Sequence, residues 1–244
     1  GGLGWAIDYT YFHIKEHINN NDFINSNLSS EFLTLPNKTI VWSKKVKSDL
    51  IKKGKYPPKS VLVIGNLQRR SNQSIDYNKI KELKKANSIP NDKKIILLAM
   101  RTGGKGLNEQ FDLKCLNMVY NSIKIDKNLF LLTKLHPLEK PELYHRMKKK
   151  FNIDKNQLKI TKKLNIKTAI LISDIVISVR STILFEAMEY KKPIIVINPE
   201  NLDLDAAEFS KTGSVFHASN QTEIQLILKD LSKIALTGDM IKNQ

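Results

Sequence analysis

The feature that most constrains this chain is an alternation that begins at Lys93: short, almost wholly apolar runs are separated by segments with helical periodicity. A strand that is apolar at every position must be covered on both faces, and a strand–helix–strand order favours parallel strands joined by right-handed crossovers. We therefore predict an α/β fold with a Rossmann-like parallel sheet and helices on both faces. The predicted strands are Lys94–Met100, Leu129–Leu135, Leu158–Ile160, Asp174–Val179, Pro193–Ile197 and Ser214–His217.

The segments between these strands carry the apolar period of amphipathic helices. Together with the strands they make residues 93–244 the size of one nucleotide-binding Rossmann-like domain. The predicted helices are Leu107–Ile123, Lys140–Lys150, Ile166–Ile172, Thr182–Tyr190 and Thr222–Ile234.

The chain before this domain has a different texture. Residues 67–92 are polar and are predicted to be a linker that carries one helix, at Tyr77–Ala86. Residues 1–66 are rich in asparagine and aromatic residues and are predicted to be a partial N-terminal α/β segment. Its elements are a strand at Thr39–Trp42, a helix at Lys44–Lys53 that stops at Gly54, and a strand at Ser60–Ile64.

The net charge of the 244 residues is +16, but it does not predict binding to nucleic acid. Lysine supplies nearly all of the positive charge, whereas arginine is the usual reader of base edges and the better partner of phosphate. The charge leaves open an attraction to an anionic membrane surface or an anionic substrate. Arginine occurs only at Arg69, Arg70, Arg101, Arg146 and Arg180.

Several classes of protein are excluded or made unlikely by composition. The only cysteine, Cys115, excludes a disulfide framework and a Cys-rich zinc site, and no histidine spacing predicts a metal centre. The longest apolar runs are far shorter than a membrane helix, and no signal-peptide pattern is present, so a cytoplasmic protein without a metal or other cofactor is expected. Because the chain begins with Gly1 rather than methionine, we expect a fragment of a longer protein.

Ligands of a parallel α/β sheet bind where loops leave the carboxyl ends of the strands, and this rule selects the residues to interpret. The loop Arg101-Thr102-Gly103-Gly104 follows the first strand of the predicted sheet. It is rich in glycine and basic, so its backbone N–H groups could approach a phosphate or an acceptor. The spacing matches neither a P-loop nor a dinucleotide fingerprint, and a plain flexible turn is the alternative.

Lys134-Leu135-His136-Pro137 follows the second strand. Lys134 and His136 share one face because side chains alternate along a strand. Pro137 holds His136 in an extended conformation, so the imidazole is predicted to point from a rigid position into the crevice and to donate a hydrogen bond to a phosphate oxygen.

The fourth strand runs directly into Arg180-Ser181-Thr182, where a helix is predicted to begin. Free N–H groups and two hydroxyls at such a start favour a phosphate, although simple helix capping is the alternative for Ser181 and Thr182. Arg180 could pair with a diphosphate or with a neighbouring carboxylate. Glu186 lies one turn further on the same helix face as Thr182 and could accept hydrogen bonds from ribose hydroxyls, or be an exposed helix charge.

These motifs together resemble the C-terminal donor-binding half of GT-B glycosyltransferases: Lys134-Leu135-His136-Pro137, the segment from Ser173-Asp174 through Arg180-Ser181-Thr182 to Glu186-Ala187, and Lys192-Pro193 before a strand. They look most similar to bacterial surface-polysaccharide enzymes with a His-Pro and a Ser/Thr motif, namely polysialyltransferase-like and Kdo-transferase-like capsule enzymes and the teichoic-acid polymerases that use CDP-glycerol. The resemblance covers residues 39–236, since Val41-Trp42-Ser43 and Val63-Ile64-Gly65-Asn66 are similar to the end of the N-terminal domain in that group.

The resemblance implies a glycosyltransferase of capsule or lipopolysaccharide biosynthesis that takes a sugar from a nucleotide-activated donor, often a cytidine nucleotide. His136 would be catalytic. The acceptor would be a glycan or glycolipid, with the enzyme cytoplasmic or peripheral at the inner face of the membrane. The residues that would bind the donor nucleotide are Lys134, His136, Pro137, Arg180, Ser181, Thr182 and Glu186.

Two other classes of function stay open. On the same fold the reaction could be transfer of a polyol phosphate from a CDP-polyol, or epimerisation of a UDP-sugar. A complete GT-B enzyme also has a whole N-terminal domain that carries the acceptor site and usually the catalytic base, and only the tail of such a domain is recognisable in this sequence. An incomplete, inactive fragment or a non-catalytic module that binds nucleotides or polyanions is therefore the third reading.

Overall fold

The computed structural model describes residues 38–41, 44–52, 56–64, 77–100, 108–179, 183–202, 213 and 215–231. The chain divides into two units, Gly1–Ser71 and Asn72–Gln244. Each unit is described here on its own, and the domain boundaries predicted from the sequence stay predictions.

The described part of the first unit is one strand–helix–strand unit. Strands β1 (Thr39–Val41) and β2 (Val61–Val63) pair in parallel, and helix α1 (Lys44–Lys52) connects them. The helix buries Leu50 against the small sheet, in a cluster with Val41, Tyr56 and Val61. The strand, helix and strand correspond to the three elements predicted from the sequence, and a helical crossover is the usual connection between two parallel strands.

The second unit is built on a six-stranded sheet in which every neighbouring pair is parallel. The strands are β3 (Lys94–Leu98), β4 (Leu129–Lys134), β5 (Leu158–Thr161), β6 (Ile175–Ser178), β7 (Ile194–Ile197) and β8 (Phe216–Ala218). Their spatial order is β5-β4-β3-β6-β7-β8, so the chain starts in the middle, moves to one edge and then returns to fill the other half. This is the doubly wound order of a Rossmann-like sheet, and the predicted fold class is confirmed.

Helices cover both faces of the sheet. Successive residues of a strand point to opposite faces, so the apolar side chains of each strand form two separate clusters with the helices. Ile96 and Leu98 of β3 face one apolar cluster, whereas Ile95 and Leu97 face the other. The first cluster packs against α3 (Glu109–Lys124), α4 (Pro141–Phe151) and α7 (Gln221–Leu231), and the second against α2 (Tyr77–Ala86), α5 (Ile166–Ile172) and α6 (Ile183–Glu189). No helix among the described residues combines the length and the apolar character that a membrane span needs.

Local capping sets helix ends that the apolar pattern alone places less sharply. The side chain of Asn108 accepts a hydrogen bond from the N–H of Phe111 at 2.9 Å, so α3 begins at Glu109. Pro141 begins α4, where a missing N–H costs nothing, and Asn152 ends it in the left-handed conformation with φ of 49°. The last strand is shifted from the prediction, since β8 occupies Phe216–Ala218 rather than Ser214–His217.

Candidate functional site

The His-Pro segment forms a tight turn at the carboxyl end of β4. The N–H of Glu139 donates to the carbonyl of His136 at 3.0 Å, which closes a four-residue turn with Pro137 at its second position. Proline favours that position because its fixed φ matches the turn. His136, Pro137 and Leu138 are exposed, so the turn projects from the sheet edge into solvent.

A hydrogen bond within the turn orients the imidazole of His136. The backbone N–H of Leu138 donates to its Nδ1 at 3.2 Å. A neutral imidazole that accepts at Nδ1 carries its proton on Nε2. The turn therefore presents Nε2–H outward, as a donor suited to an anionic oxygen.

A buried carboxylate, Glu139, ties this turn to the protein. Its side chain is 2% exposed. One oxygen accepts the backbone N–H of His136, and the other accepts the hydroxyl of Tyr144 on α4 at 2.6 Å. Burial raises the pKa of Glu139, against the opposing effect of these two hydrogen bonds and of the nearby His136 and Lys134. No role for Glu139 was predicted from the sequence, because a glutamate in a turn ordinarily lies in solvent.

Two lysines flank the same turn. The half-buried Lys134 donates from Nζ to the carbonyl of Leu135 at 2.6 Å, and burial lowers its pKa. Lys162, which follows β5, donates from Nζ to the carbonyl of Pro137 at 3.1 Å. Each ammonium group has three N–H donors and uses one of them in these hydrogen bonds. The turn is therefore bordered by two positive charges whose remaining N–H groups can donate to a ligand. Sequence reasoning missed Lys162 as well as Glu139, because only the pairing of β4 with β5 brings Lys162 to the turn.

Glu186 lies in the first turn of α6, the helix that follows β6. Since β4 and β6 both pair with β3, the segments that carry His136 and Glu186 leave the sheet on either side of that strand. The Oε2 atom of Glu186 is buried and has no hydrogen-bond partner within the described part of the chain. Burial raises the pKa of Glu186, the positive charge of Lys167 opposes this, and Glu189 adds to it.

The remaining predicted site residues cannot be placed beside these. Arg180, Ser181 and Thr182, and the loop Arg101, Thr102, Gly103 and Gly104, lie outside the described residues. Both segments follow the central strands β6 and β3, where the strand order reverses and ligands of such sheets bind. The roles given to them stay predictions, as do those of Lys134, His136, Pro137 and Glu186.

Two other motifs have structural roles at the opposite, amino edge of the sheet. Asp174 accepts the N–H of Ile95 with its side chain at 2.7 Å, which fastens β6 to β3. Lys192 donates from Nζ to the carbonyls of Leu171 and Ser173 at 3.1 and 2.6 Å, near the end of α5. These residues therefore maintain the architecture that holds the site.

Two side chains of the loop after β7 also make contacts within the protein. The buried side-chain amide of Asn198 donates to the carbonyl of Leu202 at 2.8 Å and accepts its N–H at 3.0 Å. Glu200 forms an ion pair with Lys114 of α3 at 2.6 Å. These contacts favour a structural role for Asn198 and Glu200 in holding this loop in place.

Asp112 is a second buried carboxylate near Glu139. It lies in the first turn of α3 and is 5% exposed. Burial, with smaller effects from the charges of Glu139 and Glu109, raises its pKa from 3.8 to about 6. The folded protein thus holds a proton on Asp112 that the unfolded chain releases, and the stability from this proton is lost as the pH rises through about 6.

Asp112→Asn is therefore expected to raise the free energy of unfolding at pH 7.5 by about 1–3 kcal/mol and to have little effect near pH 4. The reason is that asparagine removes the cost of a buried charge while keeping the size of the side chain. Urea unfolding at both pH values measures the difference, with the exposed Asp230→Asn as the control. An equal gain for both variants at pH 7.5 would trace the effect to net charge rather than burial.

Comparison with known proteins connects this geometry to a family. Residues 36–207, more than half of the chain, match the sequence model of the family described as CDP-Glycerol:Poly(glycerophosphate) glycerophosphotransferase. The chain belongs to this family. The matched range includes the His136 turn and Glu186. The family is consistent with one of the groups that the sequence motifs resemble, the teichoic-acid polymerases that use CDP-glycerol. No curated protein matches the chain significantly.

Several solved structures share the fold of this chain. The wall teichoic acid polymerase TagF is 19% identical and superposes with a TM-score of 0.53, over 81% of this chain and 49% of its own. A glycosyltransferase of Rickettsia africae is 18% identical, with a TM-score of 0.56 over 85% and 56% of the two chains. MnaA of S. aureus, solved with UDP, is 18% identical, with a TM-score of 0.60 over 86% and 54%. The chain thus spans about half the length of these structures, and at these identities they support the GT-B resemblance at the level of the fold.

Proposed function

We propose that this chain is the donor-binding part of a cell-surface polymer transferase and that its donor is a CDP-linked polyol such as CDP-glycerol. The observation that carries the proposal is the family match over residues 36–207. In the reaction, an acceptor hydroxyl would attack the phosphorus that bears the glycerol, the bond to the bridging oxygen would break, and CMP would leave with the displaced electron pair. The hydroxyl proton would pass to a base that we do not assign.

The geometry around His136 supports this reaction because charge develops on the departing nucleotide. The fixed Nε2–H donor and the ammonium groups of Lys134 and Lys162 face the edge where a phosphate of the donor would lie. Prearranged donors of this kind stabilise a leaving group without the reorganisation that water needs. Glu186 would accept hydrogen bonds from ribose hydroxyls through its buried Oε2 atom, which has no hydrogen-bond partner among the described residues. The proposal needs no metal or other cofactor, because these positive charges and donors balance the leaving group.

A sugar transferase that uses a CMP- or UDP-linked donor is the second candidate. It is favoured by the shared fold of the Rickettsia africae glycosyltransferase and of MnaA with UDP. The same site would then stabilise a departing nucleotide while the acceptor attacks a sugar carbon instead of phosphorus. Capsule or lipopolysaccharide synthesis, a glycan acceptor and a cytoplasmic or membrane-peripheral location stay predictions that accompany this candidate.

The test is a binding panel on the 244-residue chain: CDP-glycerol, CMP, UDP and GDP, by calorimetry and thermal unfolding. We expect CDP-glycerol and CMP to bind, and a ligand at 100 times its Kd to add about 2.7 kcal/mol to the free energy of unfolding. Binding that is unchanged by EDTA is expected as well. Selective binding of UDP would favour the second candidate, and a failure of every nucleotide to bind would refute both.

A further inference from the structure

A basic groove lies at the amino edge of the second unit, away from the candidate site. It has a volume of about 780 Å³ and is open to solvent where α4, the edge strand β5 and the approach to β3 meet. Basic side chains of its lining are Lys93, His145, Lys148, Lys155 and Lys159, and Asp92 is the only acidic side chain among the described residues that line it. All of these residues lie in described segments.

These charges come from separate parts of the chain and converge through folding. His145 and Lys148 are three residues apart and share one face of α4, whereas Lys155 follows that helix and Lys159 belongs to β5. Lysines on an edge strand can serve merely to prevent pairing with another chain. That role accounts for Lys159 but not for Lys93 or Lys148, which lie outside the edge strand.

Two of the ammonium groups are anchored at the wall of the groove. Lys93 donates from Nζ to the carbonyl of Asn156 at 2.9 Å, and Lys159 donates to the carbonyl of Asn87. Each retains further donors for an anion, and holding the ammonium in place lowers the conformational entropy that binding costs. The floor between them is formed by Ile89, Phe130 and Leu158, each of which is less than 5% exposed, so the groove offers a ligand little apolar surface.

A basic groove with little exposed apolar surface suits a flexible, hydrophilic chain in which anionic groups alternate with short carbon segments. A nucleic acid fits less well, because single strands bind by stacking their bases on aromatic rings, and Phe130 is only 3% exposed. A bilayer surface fits less well because it is too broad to enter a groove between a helix and a strand edge. The chemistry therefore favours a linear polyphosphodiester.

We propose that this groove binds a segment of poly(glycerol phosphate) about 20 Å from the donor site and so tethers the polymer. This distance follows from the length of β4 and the residues after it. Phe130 lines the groove, His136 lies six residues further along the chain, and an extended chain advances about 3.3 Å per residue. A tethered chain meets the donor site at a raised effective concentration. The choice of this polymer rests on the proposed function, whereas the basic groove does not.

The test compares two double variants that remove the same charge. Lys148→Gln/Lys155→Gln acts in the groove, and Lys127→Gln/Lys149→Gln acts on exposed lysines outside its lining. None of these four side chains has a hydrogen bond or ion pair among the described contacts, and thermal unfolding checks that both variants stay folded. We expect the groove variant to bind a fluorescent poly(glycerol phosphate) oligomer about tenfold more weakly than the control variant does. The affinity of the groove variant should also depend less steeply on salt concentration.

Three results would overturn the proposal that the groove binds the polymer. The first is equal weakening of oligomer binding in both variants, and the second is that the groove variant loses binding to phosphatidylglycerol vesicles but not to the oligomer. The third is that the unmodified chain binds single-stranded oligothymidylate more tightly than the oligomer and that the groove variant loses this binding. Calorimetry with CDP-glycerol separates this inference from the proposed function. Both double variants should bind CDP-glycerol like the unmodified chain. If no variant binds CDP-glycerol but the groove variant still loses the oligomer, the groove stands and the proposed donor fails.

Discussion

His136→Ala is expected to weaken binding of CDP-glycerol about 10- to 100-fold and to lower turnover, where transfer is measurable, about 10²–10³-fold. The side chain supplies a single Nε2–H donor that its own turn holds in place, through the hydrogen bond from Leu138 to Nδ1 at 3.2 Å. A donor fixed in this way loses little entropy on binding, so its removal costs more than the loss of a mobile one. Calorimetry measures the affinity directly.

Two further substitutions distinguish the donor atom from general damage to the turn. His136→Gln places an amide N–H near the position of Nε2, whereas His136→Asn places it near Nδ1, so glutamine should recover part of the affinity and asparagine should not. Leu138→Ala is the control, because that side chain is 85% exposed and its backbone N–H is retained. Nucleotide affinity that is the same in the alanine variant and the unmodified chain would remove His136 from the site.

The sheet was predictable from the sequence because its strands are apolar at nearly every position. The run Ile175–Ile177 is buried on both faces, as are the runs Ile95–Leu98 and Ile194–Ile197 in other strands of the sheet. Ile166–Ile172 was predicted with the bounds that the structure has, since Asn165 caps the start of that helix. The position of β8 was less certain, because a short, half-buried edge strand has little pattern of its own.

The candidate site was predictable only in part, because some of its contacts depend on how neighbouring elements pack against one another. The His136 turn follows from the strand end and Pro137. The burial of Glu139 does not, since it depends on α4 bringing Tyr144 over the turn. Lys162 and the basic groove likewise depend on β5 taking the edge beside β4. Asp174 and Lys192 belong to the motifs that resemble the enzyme family, but their contacts are within the protein. Residues of a family motif can therefore maintain the architecture rather than contact a ligand.

Glu139→Ala is expected to disorganise the His136 turn, with a loss of about 1–3 kcal/mol in the free energy of unfolding. The alanine leaves the N–H of His136 and the hydroxyl of Tyr144 without their shared acceptor. The loss is moderated because the variant also removes a carboxylate whose pKa burial raises. Binding of CDP-glycerol should fall at least as far as one lost hydrogen bond to a charged group, about tenfold.

Glu139→Gln separates this positioning role from a need for charge. The glutamine oxygen can accept the N–H of His136 while its amide donates to the hydroxyl of Tyr144, so the turn and the nucleotide affinity should survive. Heteronuclear NMR of the imidazole nitrogens should find the Nε2–H tautomer of His136 in the unmodified chain and in Glu139→Gln, and a mixture of tautomers in Glu139→Ala. Glu142→Ala, on the exposed side of α4, is the control. An unchanged tautomer in Glu139→Ala would mean that the turn orients His136 without its buried anchor, because the bond from Leu138 would then suffice.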